Sequence, residues 1–189
     1  MKRLFGALLI IFLLAGCAQE EAKPEKSVPM PSAIALNFEN AKQMDNLKVV
    51  SGAWAIKGGR LLATGQGLAV LNNFVVTDST TSVSITGSAG IAFRATSPQN
   101  LMLVAADMKK SVVYLYSIVE GKRQLLAKSA YNLTDAVHKL TVDVNGASVR
   151  AYVDDDNVID FGNAVKRKGR VGLWIAGDAE FDDLSAENI

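Results

Sequence analysis

His138-Lys-Leu-Thr-Val-Asp-Val-Asn-Gly-Ala-Ser-Val-Arg-Ala-Tyr-Val153 is the stretch that decides the fold. Leu140, Val142 and Val144 alternate with Thr141 and Asp143. That period of two sends successive side chains to opposite faces of a β-strand. Asn145-Gly146 then breaks the alternation, and a second strand-like run ends at Val153. A two-residue hairpin turn needs positive φ at both central positions, which Asn and Gly tolerate. The stretch is a β-hairpin.

Outward from it the same texture recurs. Short apolar runs separated by Gly, Asn and Asp predict strands at residues 53–57, 60–64, 68–71, 80–86, 90–95, 101–106, 112–119, 124–130, 170–176 and 180–186. Lys57-Gly58-Gly59-Arg60 and Glu120-Gly121-Lys122 read as further hairpin turns, and residues 40–46 as a short turn. No window of helical length carries an amphipathic repeat. Many short strands at regular spacing predict an all-β, two-sheet sandwich or a barrel, doubled or closed to manage its edges.

The N-terminus has a different character. Met1-Lys-Arg is followed by an apolar run from Leu4 to Leu14, too short to span a bilayer comfortably, since a spanning helix needs ~20 residues. A basic start, an apolar run and small residues at its end describe a secretory signal peptide. The run closes on Leu14-Ala15-Gly16-Cys17, and Cys17 is the single cysteine. These four residues resemble the bacterial lipobox, which implies cleavage before Cys17 and acylation of its sulfur and amino group. More than one acyl chain anchors firmly where a single chain is marginal. Residues 18–32, with Pro24, Pro29 and Pro31 among charged residues, read as an extended tether. The organisation expected is thus a signal peptide over 1–16, a lipidated cysteine and tether over 17–32, and one domain over 33–189. Ala18 stands where an aspartate would mark inner-membrane retention, so the resemblance implies the outer membrane, with the domain in the periplasm.

Charge excludes one class of partner. Loss of Lys2 and Arg3 turns 20 basic against 19 acidic residues into 18 against 19. Nucleic-acid binding calls for a strongly basic stripe, and a near-neutral domain gives no sign of one.

Several motifs, in order, resemble the laminin-G-like and concanavalin A-like domains of bacteria. Gly52-Ala-Trp54-Ala-Ile-Lys-Gly58-Gly-Arg-Leu61 is similar to their opening motif, and Ala89-Gly-Ile-Ala-Phe93-Arg94 to an inner strand. His138 to Gly146 resembles a third motif. Gly169-Arg-Val-Gly172-Leu173 with Phe181-Asp182-Asp183-Leu184 resembles the closing one. The resemblance implies a concanavalin A-like jelly roll. Asp155 stands where the family has glycine, so a different turn shape is expected after Asp154.

These residues bear on three kinds of chemistry. For catalysis, the closely spaced carboxylates of the family's glucanases are missing, and His138 is expected to be structural. Hydrolysis of a glycosidic bond calls for two facing carboxylates. For metal, Asp154-Asp155-Asp156-Asn157 fails as an EF-hand because Ile159 and Val165 stand at its sixth and twelfth positions. The jelly-roll resemblance implies instead a structural calcium held by Glu39 with Asp182 or Asp183. The other reading has those aspartates binding backbone amides.

For ligand binding, parity is the guide. Arg94, Tyr114, Tyr116 and Trp174 each sit one residue out of phase with aliphatic neighbours that belong in a core. If they share the opposite face, they make an aromatic platform with a cation, suited to the flat C–H faces and hydroxyls of sugars. The other reading places the aromatics at the rim of the core. Trp54 is expected in the core. The function expected is glycan binding at the cell envelope, with an envelope-protein docking module or a sugar hydrolase as alternatives.

Overall fold

A computed structural model describes residues 31–189; Cys17 and the tether up to Met30 lie outside them. Thirteen strands follow in order: β1 (Ala33–Leu36), β2 (Leu47–Lys57), β3 (Arg60–Val76), β4 (Ser79–Thr86), β5 (Ala89–Ser97), β6 (Asn100–Asp107), β7 (Val112–Val119), β8 (Lys122–Ala130), β9 (His138–Asn145), β10 (Ser148–Val153), β11 (Asp156–Phe161), β12 (Gly169–Ala176) and β13 (Ala179–Asn188). A 3₁₀ turn covers Ala41–Asn46, capped by the Asn40 side chain, which accepts the Lys42 N–H. Every pairing is antiparallel.

The order β11-β10-β9-β4-β13-β3-β12-β5-β6-β7-β8 is one continuous ladder folded into two leaves. The fold-over happens within β3. Its Leu61–Ala63 segment pairs with β13, and its Gln66–Val76 segment pairs with β12. β2 follows it along both segments. The corner is made by glycine: Gly52 and Gly65 take φ of 81° and 85°. A Cβ on Gly52 would lie 2.9 Å from the Gly67 Cα, so no larger residue fits that approach. The sequence predicts two strands at 60–64 and 68–71; the backbone bends instead and stays paired.

Between the leaves lies one apolar core that includes Leu61, Phe74, Ile85, Ile91, Phe93, Leu115, Val142, Leu173 and Phe181. Burying such residues yields roughly 25 cal/mol per Å² of apolar surface, the main term holding the leaves together. Trp54 packs on this core at the corner, its ring stacked 5.7 Å from Phe181 and its indole N–H donating to Ser51 O at 2.8 Å.

The opening hairpin is β9–β10, and the outcome at its far end explains Asp155. Asp154 and Asp155 connect β10 to β11 with φ of 51° and 70°, the two positive values of a tight hairpin turn. Asp154 is held there by its side chain. Its Oδ1 accepts the Lys139 N–H at 2.9 Å, and its Oδ2 lies 2.7 Å from His138 Nδ1. His138 Nε2 accepts the Thr134 N–H at 3.0 Å, which leaves Nδ1 as the protonated nitrogen. His138 is 7% exposed and structural.

Candidate functional site

The second leaf, made of the Gln66–Val76 segment of β3 with β12, β5, β6, β7 and β8, carries a smaller apolar cluster on its outer face. Leu68, Val70, Ala92, Leu101, Leu103 and Ala105 belong to it, and Tyr116 and Trp174 pack against it. Parity explains the division. In β5, Ile91 and Phe93 enter the main core while Ala92 faces out; in β7, Leu115 enters and Tyr116 faces out.

Register sets the geometry of this face. Trp174 pairs with Gly90, Gly90 with Ala105, and Ala105 with Tyr114, so one row crosses four strands. Three strand spacings of ~4.8 Å put the two aromatic positions about 14 Å apart. Between them stand the two smallest residues available. The next row brings Gly172, Ala92, Leu103 and Tyr116 together. The rings of Tyr114 and Tyr116 stack with centroids 5.4 Å apart.

Arg123 of β8 completes the site. Ile118 on the outer face pairs directly with Arg123 across the β7–β8 hairpin, which gives both the same side. The guanidinium lies 4.9 Å from the Tyr116 centroid and 5.5 Å from that of Trp174. Each such contact at an exposed site is worth ~0.5–1 kcal/mol. Arg123 and Trp174 stand between two open grooves of about 340 Å³ each, and they line both. One groove has Tyr114 and Tyr116 as its wall; the other runs past Leu68 and Pro98 into a third, of about 420 Å³, beside Val49 and Arg170. These volumes fall in the ~300–1,000 Å³ range of small-molecule sites.

Arg94 is not part of this face. It is the extra residue of a β-bulge: Gly172 and Arg170 pair with Ala92 and Ala95, so two steps on β12 meet three on β5. Arg94 takes φ of 51°, and its side chain is 2% exposed. Its Nε donates to Thr77 O at 3.2 Å, Nη1 to Val165 O at 2.8 Å, and Nη2 to Asp78 Oδ1 at 3.2 Å and to Gly146 O. Burial pulls its pKa below the ordinary arginine value, and Asp78 pulls it back up. Arg94 therefore ties the loops at one end of the sandwich together. The parity argument fails at this residue because a bulge shifts the alternation by one. Arg123, which takes the cation's place, falls just outside the strand expected at 124–130; β8 begins at Lys122. The Glu120-Gly121 turn carried the signal, since pairing Val119 with Lys122 fixes Arg123 opposite Ile118.

Among the described residues, the only carboxylate lining the three grooves is Asp107, ion-paired to Lys110 at 2.8 Å. Burial works against ionisation of Asp107, but the Lys110 ammonium and the amides of Lys110 and Lys109 outweigh it and hold the carboxyl below its usual range. Asp182 and Asp183 lie on the other leaf, in a cleft of only about 100 Å³ with Arg60 and Glu180, themselves paired at 2.7 Å. Asp182 Oδ1 accepts the Asp183 N–H at 2.8 Å, the backbone-binding alternative. The Glu39 carboxylate packs against Gly59. Among the described residues no group of three or more His, Cys, Asp or Glu is placed to hold a metal ion.

The architecture is a two-leaf antiparallel jelly-roll sandwich of the concanavalin A-like type. Among solved structures it is similar to the carbohydrate binding module CBM66 from Bacillus subtilis, with TM-score 0.71 and 22% identity over 76% of this chain and 96% of that one. A Bacillus subtilis protein with a galectin-like fold gives TM-score 0.68 and 10% identity, over 85% and 97%. A β-1,3-1,4-glucanase (lichenase) from a mouse hindgut metagenome gives 0.65 and 9%, over 84% and 100%. At these identities the likeness is one of fold. No protein-family model and no curated protein sequence matches the chain.

Proposed function

We propose that the protein binds a glycan on the outer face of its second leaf while a lipid on Cys17 holds it to the bacterial outer membrane, with the domain in the periplasm. The observation that carries the glycan reading is the groove itself. Trp174 and Tyr114 flank a floor of Gly90 and Ala105, and Arg123 is clamped beside them. Sugar rings offer apolar C–H faces for stacking and hydroxyls for hydrogen bonds, and this face supplies both kinds of partner. The fold it shares with a carbohydrate binding module supports the same reading.

Binding is favoured over hydrolysis by the carboxylates. Cleavage of a glycosidic bond calls for a pair ~5–10 Å apart across the bond. The grooves offer Asp107 alone, already paired with Lys110. The anchor rests on the Leu14-Ala15-Gly16-Cys17 motif. A glycan panel with peptidoglycan and lipopolysaccharide, presented to the protein, tests the first half: retention on at least one glycan is expected, and retention on none refutes it. Cys17→Ser tests the second half. Membrane fractionation and lipid labelling identical to wild type would refute the anchor.

A further inference from the structure

The charge of the described face narrows the ligand further, an inference that rests on the glycan reading above. The chain as a whole is almost neutral, with 20 basic and 19 acidic residues. The three grooves are not. Among the described residues, Lys48, Lys109, Lys110, Arg123 and Arg170 line them against a single carboxylate, Asp107, and that one is taken by Lys110. Lys128 pairs with Tyr114 at the end of the aromatic row. A near-neutral protein has therefore gathered cations on the one face that carries its aromatic platform.

Arg123 sharpens the point. Among the described residues it makes no ion pair. Its guanidinium is instead held by the rings of Tyr116 and Trp174. Ring contacts of this kind engage the face of a guanidinium and leave the N–H edges free, and those edges match two oxygens of a carboxylate. We infer that the ligand is an acidic glycan, one whose sugar carboxylates are read by Arg123 while the rings stack on Trp174 and the tyrosines. Lys109 at one end and Lys48 and Arg170 at the other would meet further charges along the chain.

The test is calorimetric titration of the protein with oligogalacturonate, its fully methyl-esterified form, a neutral β-glucan and dextran sulfate. Oligogalacturonate is expected to bind about tenfold or more tightly than its methyl ester, a difference of about 1.4 kcal/mol. The preference should shrink as salt rises. Arg123→Gln should erase the preference, bringing the affinity for oligogalacturonate down to that for the ester. Equal affinity for charged and neutral sugars, unaffected by Arg123→Gln, overturns the acidic ligand and leaves the glycan reading standing. Binding of dextran sulfate as tight as that of oligogalacturonate, and unchanged in Trp174→Ala, marks a general polyanion surface and overturns it too. Absence of binding to all four, together with an empty glycan panel, overturns both.

Discussion

Trp174 and Tyr114 stand in one cross-strand row, separated only by Gly90 and Ala105. The shape of the site depends on that gap. Two large rings with small residues between them form a trough, whereas a larger residue at either inner position would fill it.

Filling the trough is therefore the first experiment. Ala105 is 4% exposed, on the strand between Gly90 and Tyr114. Ala105→Leu adds bulk on the groove side at a cost of ~1–3 kcal/mol in stability, the usual range for overpacking. The fold should survive and glycan binding should fall at least tenfold in calorimetry. Undiminished binding would move the site elsewhere.

Arg94 should behave as a structural residue. Arg94→Met strips the partners from Asp78 and from the carbonyls of Thr77, Val165 and Gly146, all held now by one buried guanidinium. Removing one partner of a buried pair costs ~3–5 kcal/mol. Urea unfolding should show a loss of that size, with glycan affinity unchanged where the variant is folded. A loss below ~1 kcal/mol would mean the loops hold without it.

The Asp154-Asp155 turn offers a gain. Asp155 sits at φ of 70° with an exposed side chain whose contact to Lys139 Nζ is 3.3 Å. An L-residue in this region is strained by up to ~1–2 kcal/mol relative to glycine, and a surface ion pair offsets little of it. Asp155→Gly should raise the melting temperature by a few degrees, about 2–4 °C per kcal/mol for a domain of this size. A fall would show that the ion pair matters more than the strain.

Asp107 and Lys110 give a pH signature. Because the folded carboxyl lies below the ordinary aspartate value, the pair contributes stability above that value and loses it as pH falls through the folded one. Lys110→Met leaves the burial and removes the ammonium, so the Asp107 midpoint read by NMR should move up. No movement would assign the depression to the backbone amides alone.

The sequence made some of this legible and hid the rest for definite reasons. The β9–β10 hairpin is plain because alternation and Asn-Gly report one local geometry. Tyr114, Tyr116 and Trp174 share a face as expected, because their strands keep regular alternation where these residues sit. Arg94 escapes the same logic because a bulge is a departure from local periodicity. The expected break between residues 64 and 68 is a glycine corner inside one strand, since Gly65 bends β3 without ending its pairing. β11 is hidden by its own turn: Asp154 to Asn157 reads as an Asp/Asn-rich hairpin turn throughout, yet Asp156 and Asn157 already pair with Val153 and Tyr152.

The central claim is that the outer face of the second leaf, rather than any other surface, takes the glycan. Trp174→Ala, compared with wild type on the same glycan panel and in the same thermal melt, tests it most directly. The account predicts loss of glycan retention with a melting temperature within a few degrees of wild type, because Trp174 packs on the outer cluster and not between the leaves. Unchanged retention, or a loss of ~3–5 kcal/mol in stability as for a large buried aromatic, would contradict it.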